Sequence, residues 1–109
     1  MTRSLCLTRQ CLGLVTRIEC AIRPLSGDNG MWTLLFAAGM AGEQPSAIKT
    51  QGPFDGAPAA ESVLRAIAES LSLYGYQQAR DVPIWSLHLQ GELRRLNGDR
   101  SRVQRSSLY

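Results

Sequence analysis

Residues Leu12–Ala38, LGLVTRIECAIRPLSGDNGMWTLLFAA, decide the fold. Leu12, Leu14, Ile18, Cys20 and Ile22 share one parity, and Arg17, Glu19 and Arg23 hold the other. Period two is the signature of a strand apolar on one face and wet on the other, so residues 12–24 read as a half-buried strand. Pro24 ends it, having no N–H to donate. Ser26-Gly27-Asp28-Asn29-Gly30 is rich in residues that tolerate positive φ, which makes it a hairpin loop. From Met31 a second strand follows. Trp32, Leu34 and Phe36 lie on one face, while Met31, Leu35 and Ala37 make the other face apolar too. Such a strand is central in its sheet or covered on both sides.

Working outward, Ser46–Gln51 reads as a short third strand and Gly52–Gly56 as a turn. A helix then starts near Pro58, with Asp55 a candidate cap. Ala60, Val63, Leu64, Ile67, Leu71 and Tyr74 recur at helical spacing, opposite Glu61, Arg65 and Glu69. Gly75 suits the position just past the helix end, with Tyr76 folding back on the last turn. Ile84–Leu89 reads as a fourth strand with Trp85, Leu87 and Leu89 on one face. Glu92–Asn97 reads as a short C-terminal helix with Leu93 and Leu96 inward.

The fold class expected is therefore α+β. It is a small antiparallel sheet, a hairpin plus two further strands, with one long helix packed on one face and a short C-terminal helix. At 109 residues there is room for a single domain. Residues 1–10 are expected to be a loosely ordered segment, residues 11–97 the domain, and residues 98–109 a basic, disordered tail.

The net charge is +3, unevenly spread. Arg3, Arg9, Arg17 and Arg23 against Glu19 make the start basic. Arg94, Arg95, Arg100, Arg102 and Arg105 against Asp99 do the same at the end, and the middle is acidic. No block of five or six like charges occurs, so solvated ends are the simpler reading. Arginine outnumbers lysine eleven to one, which fits a GC-rich coding bias and hence a bacterial source. Cys6, Cys11 and Cys20 are odd in number and lack a Cys-x-x-Cys spacing. They read as reduced thiols in a cytoplasmic protein, with Cys20 and Cys11 as small core residues. No apolar run is long enough for a membrane span, and the N-terminal run is too short for a secretory signal.

No GxSxG, HExxH, phosphate-binding loop or GxGxxG is present, and the single histidine, His88, rules out a two-histidine mechanism. The sequence thus offers no catalytic residues, no metal site and no cofactor. One local pattern resembles something known. Gln51-Gly52-Pro53-Phe54, Ala59-Ala60, Leu64 and Gly75-Tyr76 resemble half of a sporulation-related (SPOR) repeat, a family that binds peptidoglycan glycan strands. The turn-to-glycine interval is about one helical turn longer than in that repeat. No second half appears, and the assignment is not adopted.

The functional expectation is a small non-enzymatic module that meets a protein partner, or a second copy of itself, through the sheet face away from the long helix. Met31, Leu35 and Ala37 with Ile84 would form its apolar centre, rimmed by Arg17, Glu19 and Arg23, with His88 a further candidate binding residue. The alternative is a nucleic-acid binder using the basic ends, Arg94 and Arg95 included. It is less favoured because the expected wet face has no aromatic residue for base stacking. A small-ligand domain or a cryptic enzyme is a third reading. A competing view of the apolar face has the Leu93/Leu96 helix cover it within the chain.

Overall fold

The protein is described by a computed structural model that covers residues 3–27 and 30–106, with side chains to residue 98. Five strands and two helices follow one another: β1 Ser4–Cys11, β2 Leu14–Pro24, β3 Met31–Met40, β4 Ala47–Asp55, α1 Ala57–Leu73, β5 Gln77–Gln78 and α2 Ser86–Ser106. The strands form one antiparallel sheet in the order β4-β3-β2-β1-β5. This is an α+β fold with a helix on each face of the sheet.

The hairpin of β2 and β3 sits at the centre, with Ile22 opposite Leu34 and Cys20 opposite Phe36. Opposite residues share a face, so these four point together towards α1. Cys20, Ile22, Leu34, Ala60 and Leu64 are buried there, with Leu5, Ile18, Trp32, Phe36, Phe54, Val63 and Ile67 packed around them. The helix stripe read from sequence is the stripe that docks. On the other face Ala21, Leu35 and Ala37 are buried under Trp85 and Leu89, flanked by Leu93 and Leu96. Both faces of β3 are therefore covered within the chain.

The end of α1 is closed as expected. The Tyr76 amide donates to the Leu71 carbonyl and that of Gly75 to Ser72. Gly75 has φ +92°, the left-handed conformation this Schellman closure needs. The start differs: Gly56 is the N-cap and no side chain caps the helix, so Asp55 is not the cap. β4 also runs to Asp55, through the segment read as a turn. A register shift opposite Trp32 and Leu34 carries it past Gly52, whose φ of +132° and closeness to the Trp32 carbonyl admit only glycine without strain.

Three expectations are corrected. Residues 4–11 are not loosely ordered: β1 pairs with β2 along its whole length, and Cys6 and Leu7 are buried. Its polar residues Thr8, Arg9 and Gln10 hid the pattern, because part of this strand lies near the sheet edge. Residues 84–89 are not a strand. Ser86 opens α2, and Leu87, expected in the core, is 76% exposed. Trp85, Leu89, Leu93 and Leu96 fall at helical spacing, which the alternation of Ile84–Leu89 imitates over six residues. Cys11 is exposed at the hairpin end. As for the tail, the backbone of α2 continues to Ser106, while residues 107–109 and the side chains from 99 onward lie outside the described residues.

Candidate functional site

The face under α2 carries charges where the sheet pattern asks for apolar groups. Arg17 and Glu19 share the parity of Ala21, and both are almost fully buried, at 4% and 3% exposed. Two charges tolerate such a place only if each is fully partnered. Arg17 Nε donates to Glu19 Oε2 at 2.7 Å, its Nη1 to Asp81 Oδ2 at 3.2 Å, and its Nη2 to the Val82 carbonyl at 3.2 Å. Glu19 also accepts the backbone N–H groups of Ile84 at 2.8 Å and Trp85 at 3.1 Å. The pair thus straps residues 81–85 to the sheet and sets the point from which α2 departs. Burial works to lower the Arg17 pKa, but the hydrogen bond to Glu19 and the neighbouring negative groups outweigh it and hold it above its ordinary value. Trp85 completes the strap. It is buried, and its Nε1 donates to the Glu43 carbonyl at 2.9 Å in the turn between β3 and β4.

Beside this network, between α2 and the strands β1 and β2, lies a cleft of about 310 Å³. Leu35, Leu89 and Leu93 give it an apolar floor; Ser4, Gln78, Ser86 and Gln90 contribute neutral hydrogen-bonding groups. Asp81, Glu19 and Arg23 add charged groups to its lining, Arg23 four residues from Glu19 along β2. Cys6 faces the cleft directly opposite Glu19. Burial pushes its thiol pKa up; the Arg17 charge opposes that, and Glu19 and Asp81 add to it. A nucleophilic cysteine needs the thiolate, which this site disfavours. Cys20, on the α1 face, is pushed up to about 12, chiefly by burial. Among the described residues no cluster of three His, Cys, Asp or Glu side chains could hold a metal ion.

A family model described as PA4575-like protein matches residues 1–108. The chain belongs to this PA4575-like protein family. The match spans nearly the whole chain and is to a different family from the repeat that residues 51–76 resemble. No curated protein and no solved structure matches the chain.

The residues expected to form an interface do not come together as one. Leu35 is 1% exposed beneath α2, so the apolar centre assigned to it is inside the molecule. Arg17 is no rim residue but the buried core of the ion-pair strap. Arg23 is exposed beside the cleft and donates to the Ile22 carbonyl at 2.8 Å. Met31 is half-buried at the start of β3, and Ile84 is half-exposed just ahead of α2. His88, Arg94 and Arg95 are exposed on α2, with Arg95 bonded to Glu92 one turn earlier. Sequence reading missed Cys6, Ser86 and Gln90 as cleft residues. The signal for the last two was the helical spacing of Trp85, Leu89 and Leu93. For Cys6 there was none, since its place depends on which strand lies beside β2.

Proposed function

We propose that this protein is a small non-enzymatic interaction module that receives a short extended segment of a partner protein in the cleft beside α2. One observation carries the reading: Arg17, Glu19 and Cys6 at the cleft are already committed inward, which leaves Arg23 and the outer side of Asp81 as the charges at its rim. Glu19 is saturated by one guanidinium and two amides, Arg17 is spent on Glu19, Asp81 and Val82, and the Cys6 thiol is held protonated. What faces a ligand is an apolar floor with amides and hydroxyls around it and Arg23 and Asp81 at the rim, suited to a side chain and its flanking backbone. The volume, at the small end for ligand sites, suits a few residues of chain. Three free cysteines, two of them buried, fit a reducing compartment such as the cytoplasm. No helix among the described residues is long and apolar enough to cross a membrane.

Native mass spectrometry of the protein purified from its own host tests this, alongside Gln90→Trp, which fills the cleft from an exposed helix position. A retained polypeptide that the variant loses is the expected result. A retained small molecule or nucleic acid, or a polypeptide that survives Gln90→Trp, would refute it.

A further inference from the structure

The sheet edge that borders the cleft is left unfinished. β5 pairs with β1 only at Leu7 and Thr8, and one further bond, from the Ala79 amide to the Cys6 carbonyl at 2.8 Å, ends the contact. From there the chain turns off the edge, because Arg17 ties Asp81 and the Val82 carbonyl to the α2 face of β2. β1 itself continues to Ser4, an exposed strand residue in the cleft lining.

Two bonds fix which way the backbone of β1 points. Successive residues of an antiparallel strand turn their peptide groups to opposite sides. The Arg3 carbonyl points to β2, where it accepts the Ile22 amide at 2.8 Å, and the Cys6 carbonyl points the other way, to Ala79. Ser4 has the parity of Cys6. Its N–H and C=O therefore both point outward, and neither has a hydrogen-bond partner among the described residues. Beside this open peptide unit stands a cation. Arg23 Nη1 donates to the Ile22 carbonyl at 2.8 Å and lies 3.5 Å from the Arg3 carbonyl, which holds the guanidinium at the β1–β2 seam, while its Nε and Nη2 make no hydrogen bond among the described residues.

We propose that the partner segment joins the sheet as an antiparallel strand on the edge of β1, with an apolar residue opposite Ser4 and an Asp or Glu two residues further on that meets Arg23. This rests on the cleft being a peptide site and specifies the peptide. In antiparallel pairing a single residue exchanges both bonds with Ser4, so the one open N–H and the one open C=O are met together. The added strand follows the track and direction of β5. Opposite residues share a face, so the side chain opposite Ser4 points to the α2 side, where Leu89 and Leu93 line the cleft. Continuing in that direction, the segment passes the level of Arg23, which lies two residues beyond Ala21, the partner of Ser4 on β2. A strand about 4.8 Å outside β1 brings a carboxylate side chain within reach of the guanidinium there. A charge-assisted bond to it gives selectivity that the apolar floor alone does not.

Selection of phage-displayed random ten-residue peptides on the purified protein tests the proposal, followed by calorimetry with the selected peptide made synthetically. The expected consensus is an apolar residue with Asp or Glu two positions after it. Methylating the backbone nitrogen of that apolar residue should weaken binding about tenfold. Ser4→Pro should weaken it to a similar degree and leave the melting temperature unchanged, since proline is tolerated at the first residue of an edge strand. Selection on Arg23→Glu should replace the acidic position by Lys or Arg. No enrichment, a consensus without that spacing, or an affinity indifferent to N-methylation overturns the proposal. A selected peptide that Gln90→Trp abolishes but that ignores N-methylation and Arg23→Glu overturns strand addition and leaves the cleft reading standing; indifference to Gln90→Trp as well defeats both. A concentration-dependent dimer in sedimentation velocity that Ser4→Pro dissolves assigns the edge to a second copy, and also overturns the proposal.

Discussion

At Cys20 and Glu19, neighbours in sequence, opposite demands are met on opposite faces of one strand. Cys20 is 2% exposed and its thiol is pushed up to about 12. The folded state thus resists thiolate formation more than the unfolded chain does. Its contribution to stability is fully present below about pH 9 and is lost as pH rises towards 12, at on the order of 1 kcal/mol per pH unit. Urea melts between pH 8 and pH 11 should show this slope, and Cys20→Ala should flatten it; equal slopes would contradict the assignment. Glu19 offers a second test. Glu19→Ala leaves the buried Arg17 guanidinium without its closest partner and two amides unmet. A loss of roughly 3–5 kcal/mol is expected from denaturant titration, with the 81–85 segment losing hydrogen-exchange protection first.

The two helices are held by different means. α1 follows its own sequence: an apolar stripe, a proline in the first turn and a glycine just past the end. Gly75→Ala should cost about 1 kcal/mol, because the position needs a positive φ. α2 depends on the sheet for its start and its burial. Trp85→Ala removes the buried plug beneath its first turn and should destabilise by about 3–5 kcal/mol. Leu35→Lys places a charge under the same helix and should unfold the protein instead of freeing an interface. Circular dichroism melts of the two variants check both, and a Leu35→Lys protein of wild-type stability would mean that α2 does not cover that face.

For the whole molecule, α2 closes the second face of the sheet by way of Leu89, Leu93 and Leu96, and Asn97 Oδ1 accepts the Ser26 amide near its last inward contact. Truncation after Asn97 is therefore expected to keep a single cooperative melt. The same truncation removes Arg100, Arg102 and Arg105. A nucleic-acid binder would lose affinity with them in a salt-dependent titration, whereas a cleft module should keep its partner.

Local pattern alone determined the central hairpin, the presence of the third strand and α1 with its glycine closure, because each carries its own period; the end of the third strand at Asp55 and the N-cap at Gly56 were settled by the pairing with β3 and the backbone there. The doubly apolar β3 likewise announced that its second face needed a cover, but left open whether a partner or the chain itself supplies it. Three things needed the tertiary structure. β1 became a strand because β2 offered it a full register of partners, which outweighed the polar residues along it. Residues 86 onward became a helix because Trp85, Leu89 and Leu93 bury together on the sheet only at helical spacing. The cleft follows from both, since its walls are β1 and α2. Arg17 and Glu19 show the physical reason. Alternation marks them as wet, but the charges satisfy each other and two backbone amides, so a neutral, bonded cluster is buried where isolated charges could not be. Pairing of that kind is decided by which groups meet in space, and a period along the chain carries no record of it.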